Sequence, residues 1–145
     1  MLHKTIGQIL PEIAIKYGNK TALIVGERKF SFDELNQLSD RLAIGLSRLG
    51  IGEGDCVTLY APNSWEWVVA YYGIAKVGAI INPVNVMLTP EEVGYVVKDC
   101  SAKALFTTGD RAAPIIGLKN ESDLTEIVTF GTNPPTGAVT FNEII

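Results

Sequence analysis

A single histidine and two cysteines are all the imidazole and thiol ligands that the 145 residues contain. Cys56 and Cys100 lie far apart in the sequence, and neither belongs to a CxxC pair. His3 is the only imidazole that could join them, so the pattern of a structural zinc site is missing. The expectation that remains is two small buried thiols in a reducing compartment. His3, beside the chain start, reads as solvated. Positive charge is also scarce. Lys and Arg total 12 against 16 Asp and Glu, for a net charge of −4, and the basic residues never form a run. Nucleic-acid binding by phosphate neutralisation needs a basic stripe, so no nucleic acid is expected as a partner. Long apolar runs are absent as well. The most apolar stretch, Trp65 to Leu88, is broken by Glu66, Lys76, Asn82 and Pro83, which excludes a transmembrane segment as its reading. Met1 to Leu10 is too short and too mixed for a secretory signal. The expected location is cytoplasmic.

What the chain does have is core-forming material. Hydrophobic residues make up 47% and charged residues 19%, a balance that suits a packed globular unit and not a disordered one. A first helix is predicted over Thr5 to Tyr17, with Ile6, Ile9, Leu10, Ile13 and Tyr17 on one face. Pro11 should kink that helix or mark a late start. Thr21 to Val25 and Arg28 to Phe30 read as a hairpin turned by Gly26-Glu27. Ser31-Phe32-Asp33-Glu34 has the S-x-x-E form of a capping box. Leu35, Leu38, Leu42, Leu46 and Leu49 then recur at helical spacing, and Gly50 is placed for a left-handed stop.

After a turn at Gly52 to Asp55, Cys56 to Tyr60 reads as a strand. Asn63 or Ser64 caps a helix from Trp65 to about Val77, and Ala79 to Asn82 is the next strand, closed by Pro83. Thr89-Pro90-Glu91-Glu92 opens a further helix: a cap, a proline at the first helical position, then two acids at the positive end of the dipole. Ala104 to Thr107 and Ile127 to Phe130 are strands, with a weaker helix over Asp110 to Leu118 between them. The four later strands are short and apolar on both faces, as in a parallel sheet covered on each side. The expected fold class is α/β: a doubly wound, mostly parallel sheet with helices on both faces and an N-terminal β-hairpin. Thr140-Phe141-Asn142-Glu143 is a second capping box, with only Ile144 and Ile145 behind it. A one-turn helix is not stable by itself, so the expectation is a segment whose natural sequence continues.

Candidate chemistry is sparse. Gly50-Ile51-Gly52-Glu53-Gly54 is not a dinucleotide fingerprint, because the glycines follow a helix and precede a strand. Asp33-Glu34 and Glu91-Glu92 are acids in first helical turns, where the dipole accounts for them. Ser64 has no base in its sequence context and reads as a cap, not a nucleophile. Trp65, Trp67, Tyr71 and Tyr72 could line an acyl pocket but are better explained by packing. Ligands of open α/β sheets gather at the carboxyl ends of strands. The loops there are Ala61–Ser64 and Pro83–Leu88, so the candidate rim residues are Asn63, Ser64, Asn85 and Met87. No catalytic, cofactor-binding or metal-binding residue is assigned.

Several segments, in order, carry a resemblance. Phe30-Ser31-Phe32-Asp33-Glu34-Leu35 resembles the first core motif of the adenylate-forming superfamily, which includes acyl-CoA synthetases, peptide-synthetase adenylation domains and luciferases. Ala75-Lys76-Val77-Gly78-Ala79-Ile80-Ile81-Asn82-Pro83-Val84-Asn85 resembles the second, and Thr89-Pro90-Glu91-Glu92 follows as in many acyl-CoA ligases. Asn82-Pro83-Val84-Asn85 is closer to those ligases than to peptide synthetases. The resemblance implies that residues 1–145 form an N-terminal subdomain segment whose partner is the remainder of a ligase polypeptide. It implies ATP, Mg2+ and coenzyme A for that parent, and a carboxylic acid, by default a medium- or long-chain fatty acid, with aryl acids as the alternative. The Ser/Thr/Gly-rich phosphate loop ending in Pro-Lys-Gly has no counterpart here. Thr107-Thr108-Gly109-Asp110 lacks most of it, so the chain alone is expected to hold no cofactor and to be inactive. Some relatives carry an arginine near the coenzyme A phosphates where this chain has Met87, and a thioether cannot neutralise phosphate. Two further expectations stand beside these: self-association through uncovered apolar surface, and, as the alternative role, a short non-enzymatic binding module of the same fold.

Overall fold

A computed structural model describes residues 4–145, so His3 lies outside the described residues. In chain order it holds helix α1 (Ile6–Tyr17), the hairpin strands β1 (Thr21–Val25) and β2 (Arg28–Ser31), and helix α2 (Phe32–Arg48). Strand β3 (Cys56–Tyr60), helix α3 (Trp65–Lys76), strand β4 (Ile80–Pro83), helix α4 (Pro90–Asp99) and strand β5 (Ala102–Thr108) follow. The chain ends with helix α5 (Gly109–Ala112) running into a 3-10 stretch (Ala113–Asn120), then β6 (Glu126–Phe130), β7 (Val139–Thr140) and helix α6 (Phe141–Ile144).

Local signals explain most of these boundaries. The Ser64 hydroxyl accepts from the Trp67 amide at 3.1 Å and starts α3. Thr89 and Glu92 cap α4 reciprocally. Gly50, at φ 76, stops α2: its amide donates to Ser47 and that of Ile51 to Leu46, a paired closure that needs the left-handed backbone. Gly78, at φ 83, ends α3 in the same way.

The sheet is parallel throughout, in the order β4-β3-β5-β6-β7. Side chains alternate between its faces. Val57, Leu59, Ala104, Phe106 and Val128 meet Leu42, Leu46, Val69 and Ile74 of α2 and α3. Leu105 and Ile127 point the other way, toward Val93 and Val97 of α4 and Ile115 of the 3-10 stretch. Helices therefore cover both faces, the doubly wound arrangement expected, with β1 and β2 as a separate antiparallel ribbon.

Four details differ from the sequence reading. Helix α1 begins at Ile6 and runs through Pro11 without a late start; its buried Leu10 and Ala14 pack on α2 and α3 and hold it despite the missing amide. The Ser31 box is half made. Its hydroxyl takes the Glu34 amide at 3.1 Å, but the Glu34 carboxylate turns to Arg28 at 3.3 Å, because the hairpin brings that guanidinium beside the first turn of α2. Pro83 is the last residue of β4 and not the breaker after it, which an edge strand tolerates. A fifth parallel strand, β7, pairs Val139 and Thr140 with Val128 and Thr129. Two residues are too few for a periodicity to show.

Candidate functional site

Numbered within the parallel sheet alone, the strand order is 2-1-3-4-5. Connections leave in opposite directions between β3 and β5, which puts the switch-point crevice at their carboxyl ends. Tyr60 ends β3 there, and Thr107 and Thr108 end β5. Arg111, in the short α5, reaches back across the opening. Its Nη1 donates to the Tyr60 hydroxyl at 3.0 Å and to the Val86 carbonyl at 2.8 Å. The guanidinium carbon lies 5.1 Å from the Tyr60 ring centroid. Tyr60 in turn donates to the Leu88 carbonyl at 2.7 Å. Two carbonyls of the loop after β4 are thus pinned to the ends of β3 and β5 by one arginine–tyrosine pair. A recess of about 440 Å³ opens beside it, lined by Tyr60, Met87, Asp110, Arg111 and Pro114.

The polar groups around the crevice are few. Thr107 is fully buried and its hydroxyl has no partner among the described residues. Thr108 Oγ1 makes no full hydrogen bond either, yet its nearness holds the Asp110 carboxyl below the usual aspartate range, with a smaller contribution from the Arg111 charge. Among the described residues no cluster of three or more His, Cys, Asp or Glu side chains could hold a metal ion. Helix α5 spans four residues, too few to present a row of free amides to a polyphosphate. At this crevice the described residues offer a polyphosphate one arginine beside an aspartate and no row of amides.

The residues picked from the sequence separate here. Met87 is on the rim of the recess, 82% exposed. Asn85 accepts the Met87 amide at 2.9 Å and shapes the loop. Ser64 is occupied as the cap of α3, and Asn63 is exposed, outside the recess. Arg111 and Tyr60 are not among the expected rim residues. Their sequence signal is thin: a basic residue and a tyrosine just beyond, or at, the ends of predicted strands. The aromatic group on α3 packs, as expected. Trp65 stacks on Phe30 with centroids 5.4 Å apart and meets Phe141 edge-on at 5.7 Å.

A larger, open groove of about 710 Å³ runs along edge strand β4, between it and the start of α1, lined by Ile6, Gln8, Tyr71, Lys76 and Ile81. Lys76 is spent on Asn36 and Asp40, at 2.7 Å from each side chain. At the opposite, amino-terminal end of the sheet, Asp55 is held below the usual aspartate range by Lys103 and by the Gly52 amide. Beside it the two cysteines, separate in the sequence, come together.

The geometry finds close parallels among known proteins. A family model described as AMP-binding enzyme matches residues 10–143. Crotonobetaine/carnitine–CoA ligase of Escherichia coli O139:H28 (strain E24377A / ETEC) is 34% identical over 125 residues, covering 83% of this chain and 24% of that protein. The Citrobacter koseri enzyme of the same name is 32% identical, covering 91% of this chain and 27% of the relative. Among solved structures, the anthranilate CoA ligase AuaEII in complex with anthranoyl-AMP superposes with a TM-score of 0.91 at 31% identity, over 99% of this chain and 28% of that one. A Mycobacterium tuberculosis fatty acyl CoA synthetase gives 0.72 at 28% identity, over 94% and 26%. The chain spans about a quarter of the length of the curated relatives it matches.

Proposed function

This chain belongs to the AMP-binding enzyme family, and from that premise we propose that it is the N-terminal scaffold segment of an ATP-dependent acyl-CoA ligase. The parent reaction joins a carboxylate to ATP, releases pyrophosphate, and passes the acyl group from the adenylate to coenzyme A. The observation that carries the reading is the match over residues 10–143, together with ligase relatives above 30% identity. Asn82-Pro83-Val84-Asn85 favours an acyl-CoA ligase over a peptide synthetase, and the acid we assign by default is a medium- or long-chain fatty acid, with an aryl acid as the alternative.

In this role the segment supplies a rigid sheet and anchored strand-end loops. Arg111 and Tyr60 fix the loop that carries Met87, so that other parts of the polypeptide meet a defined surface. Charge development on phosphate calls for aligned donors and cations, and the crevice offers one arginine with an aspartate beside it. The chain by itself therefore does not adenylate. The test is fatty-acid-dependent exchange of labelled pyrophosphate into ATP by the purified 145-residue chain. No exchange above the protein-free rate is expected; acid-dependent turnover would overturn the scaffold reading.

A further inference from the structure

Cys56 opens β3, and Cys100 caps the end of α4 just before β5 begins. In the parallel register Cys56 lies opposite Ala102. Ser101 between them adopts a left-handed backbone, φ 48, that folds Cys100 back against the sheet. Cys56 and Thr58 share the face of β3 that α4 covers. Thr58 Oγ1 is 4.0 Å from the Cys100 sulfur, and the Asn82 amide donates to that sulfur at 3.3 Å. Cys100 thus lies over the start of β3, its sulfur beside Thr58, two residues beyond Cys56 on the same face. They differ in access: Cys56 is buried and Cys100 is partly open to solvent. Nothing in the scaffold role uses either sulfur.

We propose that Cys56 and Cys100 form a redox-sensitive pair that closes into an internal disulfide when a peroxide-class oxidant reaches Cys100. The Cys100 thiolate, with the Asn82 amide beside it, attacks one peroxide oxygen and breaks the O–O bond. This gives Cys100 sulfenic acid and hydroxide, which takes up the proton that the thiol released. Cys56 then attacks the sulfenic sulfur, forming the S–S bond while its own proton leaves with the hydroxyl as water. Two thiols are oxidised, one peroxide is reduced to two waters, and no other reactant is needed. Burial, and the hydrogen bond and charge of Cys100, push Cys56 up to about 12. Burial is the largest part of that shift, and Cys100, the more open sulfur, is the one that meets the oxidant first. The link joins the start of β3 to the end of α4, two elements that otherwise meet only by packing.

The experiment treats the 145-residue chain, at low concentration, with stoichiometric hydrogen peroxide and follows intact mass, free thiols and a non-reducing peptide map. The expected product is monomeric, lighter by two hydrogens, and reduced from two reactive thiols to none. Its map contains one peptide joined through Cys56 and Cys100, which dithiothreitol separates. Cys100→Ser should remove the product, and Cys56→Ser should leave a trappable sulfenic acid on Cys100. The map of the unsubstituted chain decides the matter even where a variant folds poorly. Oxygen adducts without the joined peptide, or disulfides only between chains, would overturn the proposal.

Discussion

Lys76 is the most tightly committed charge in the molecule's described part. Its side chain is 7% exposed, and its ammonium donates to the Asn36 carbonyl, the Asn36 side chain and Asp40. These three acceptors tie α3 to α2. Removing the donor leaves the acceptors short of a partner next to the core, so Lys76→Ala should cost about 1–3 kcal/mol, read as a lower midpoint in urea with an unchanged slope. Gly45 is a second such point. A Cβ there would lie 1.9 Å from the Ile144 carbonyl oxygen, so Gly45→Ala must push α6 off α2. The expected loss is about 1–3 kcal/mol, accompanied by faster hydrogen exchange at Phe141–Ile144. Neither role is legible in the sequence, where Lys76 is a break in an apolar run and Gly45 a flaw in a helix. The same holds for Arg111 and for the cysteines. Each depends on what a distant segment brings to it, and spacing along one chain does not encode that.

Elements were far more legible, because their signals are local. Ser64, the Thr89–Glu92 pair, Gly50 and Gly78 each satisfy or close the backbone within a few residues of themselves, and so their pattern survives in the sequence. Failures occurred where partners compete. Glu34 prefers the Arg28 guanidinium to a neutral amide, and β7 exists only through its pairing with β6. Two predictions belong at this scale. Thr89→Ala removes the cap of α4 and should cost about 1 kcal/mol near neutral pH. Glu92 is held below its ordinary value of 4.5 by the Thr89 amide and hydroxyl. A carboxyl whose folded pKa is depressed stabilises above its unfolded pKa and loses that contribution as pH falls through the folded value. The cost of Thr89→Ala should therefore shrink as the pH drops from neutrality to below 4.5, measured as urea midpoints along that series. Ser101 is the only described non-glycine residue at positive φ. Ser101→Gly should stabilise by about 0.5–1 kcal/mol, since a left-handed backbone suits glycine, visible as a raised thermal midpoint.

At the scale of the whole molecule, the expected architecture held: a parallel sheet, helices on both faces and a leading hairpin. It was legible because short apolar strands alternating with capped helices admit few arrangements. Strand β4 is an edge, and Ile80 on it is 56% exposed, with Ile6 at 43% and Ile9 at 38% on α1. An unpaired edge flanked by apolar side chains favours pairing with a second copy. Light scattering should show a mass that rises with concentration, and Ile80→Lys should return it to that of a monomer. A constant monomer mass for the unsubstituted chain would refute this.

The expected inactivity of the chain by itself depends most on how little the described residues offer a triphosphate at the mouth of the sheet: one arginine beside an aspartate. The direct measurement is a titration of the isotope-labelled chain with Mg·ATP, followed amide by amide in solution. The account predicts no saturable shifts at submillimolar nucleotide. Saturable shifts converging on backbone amides around Thr107–Arg111 would contradict it.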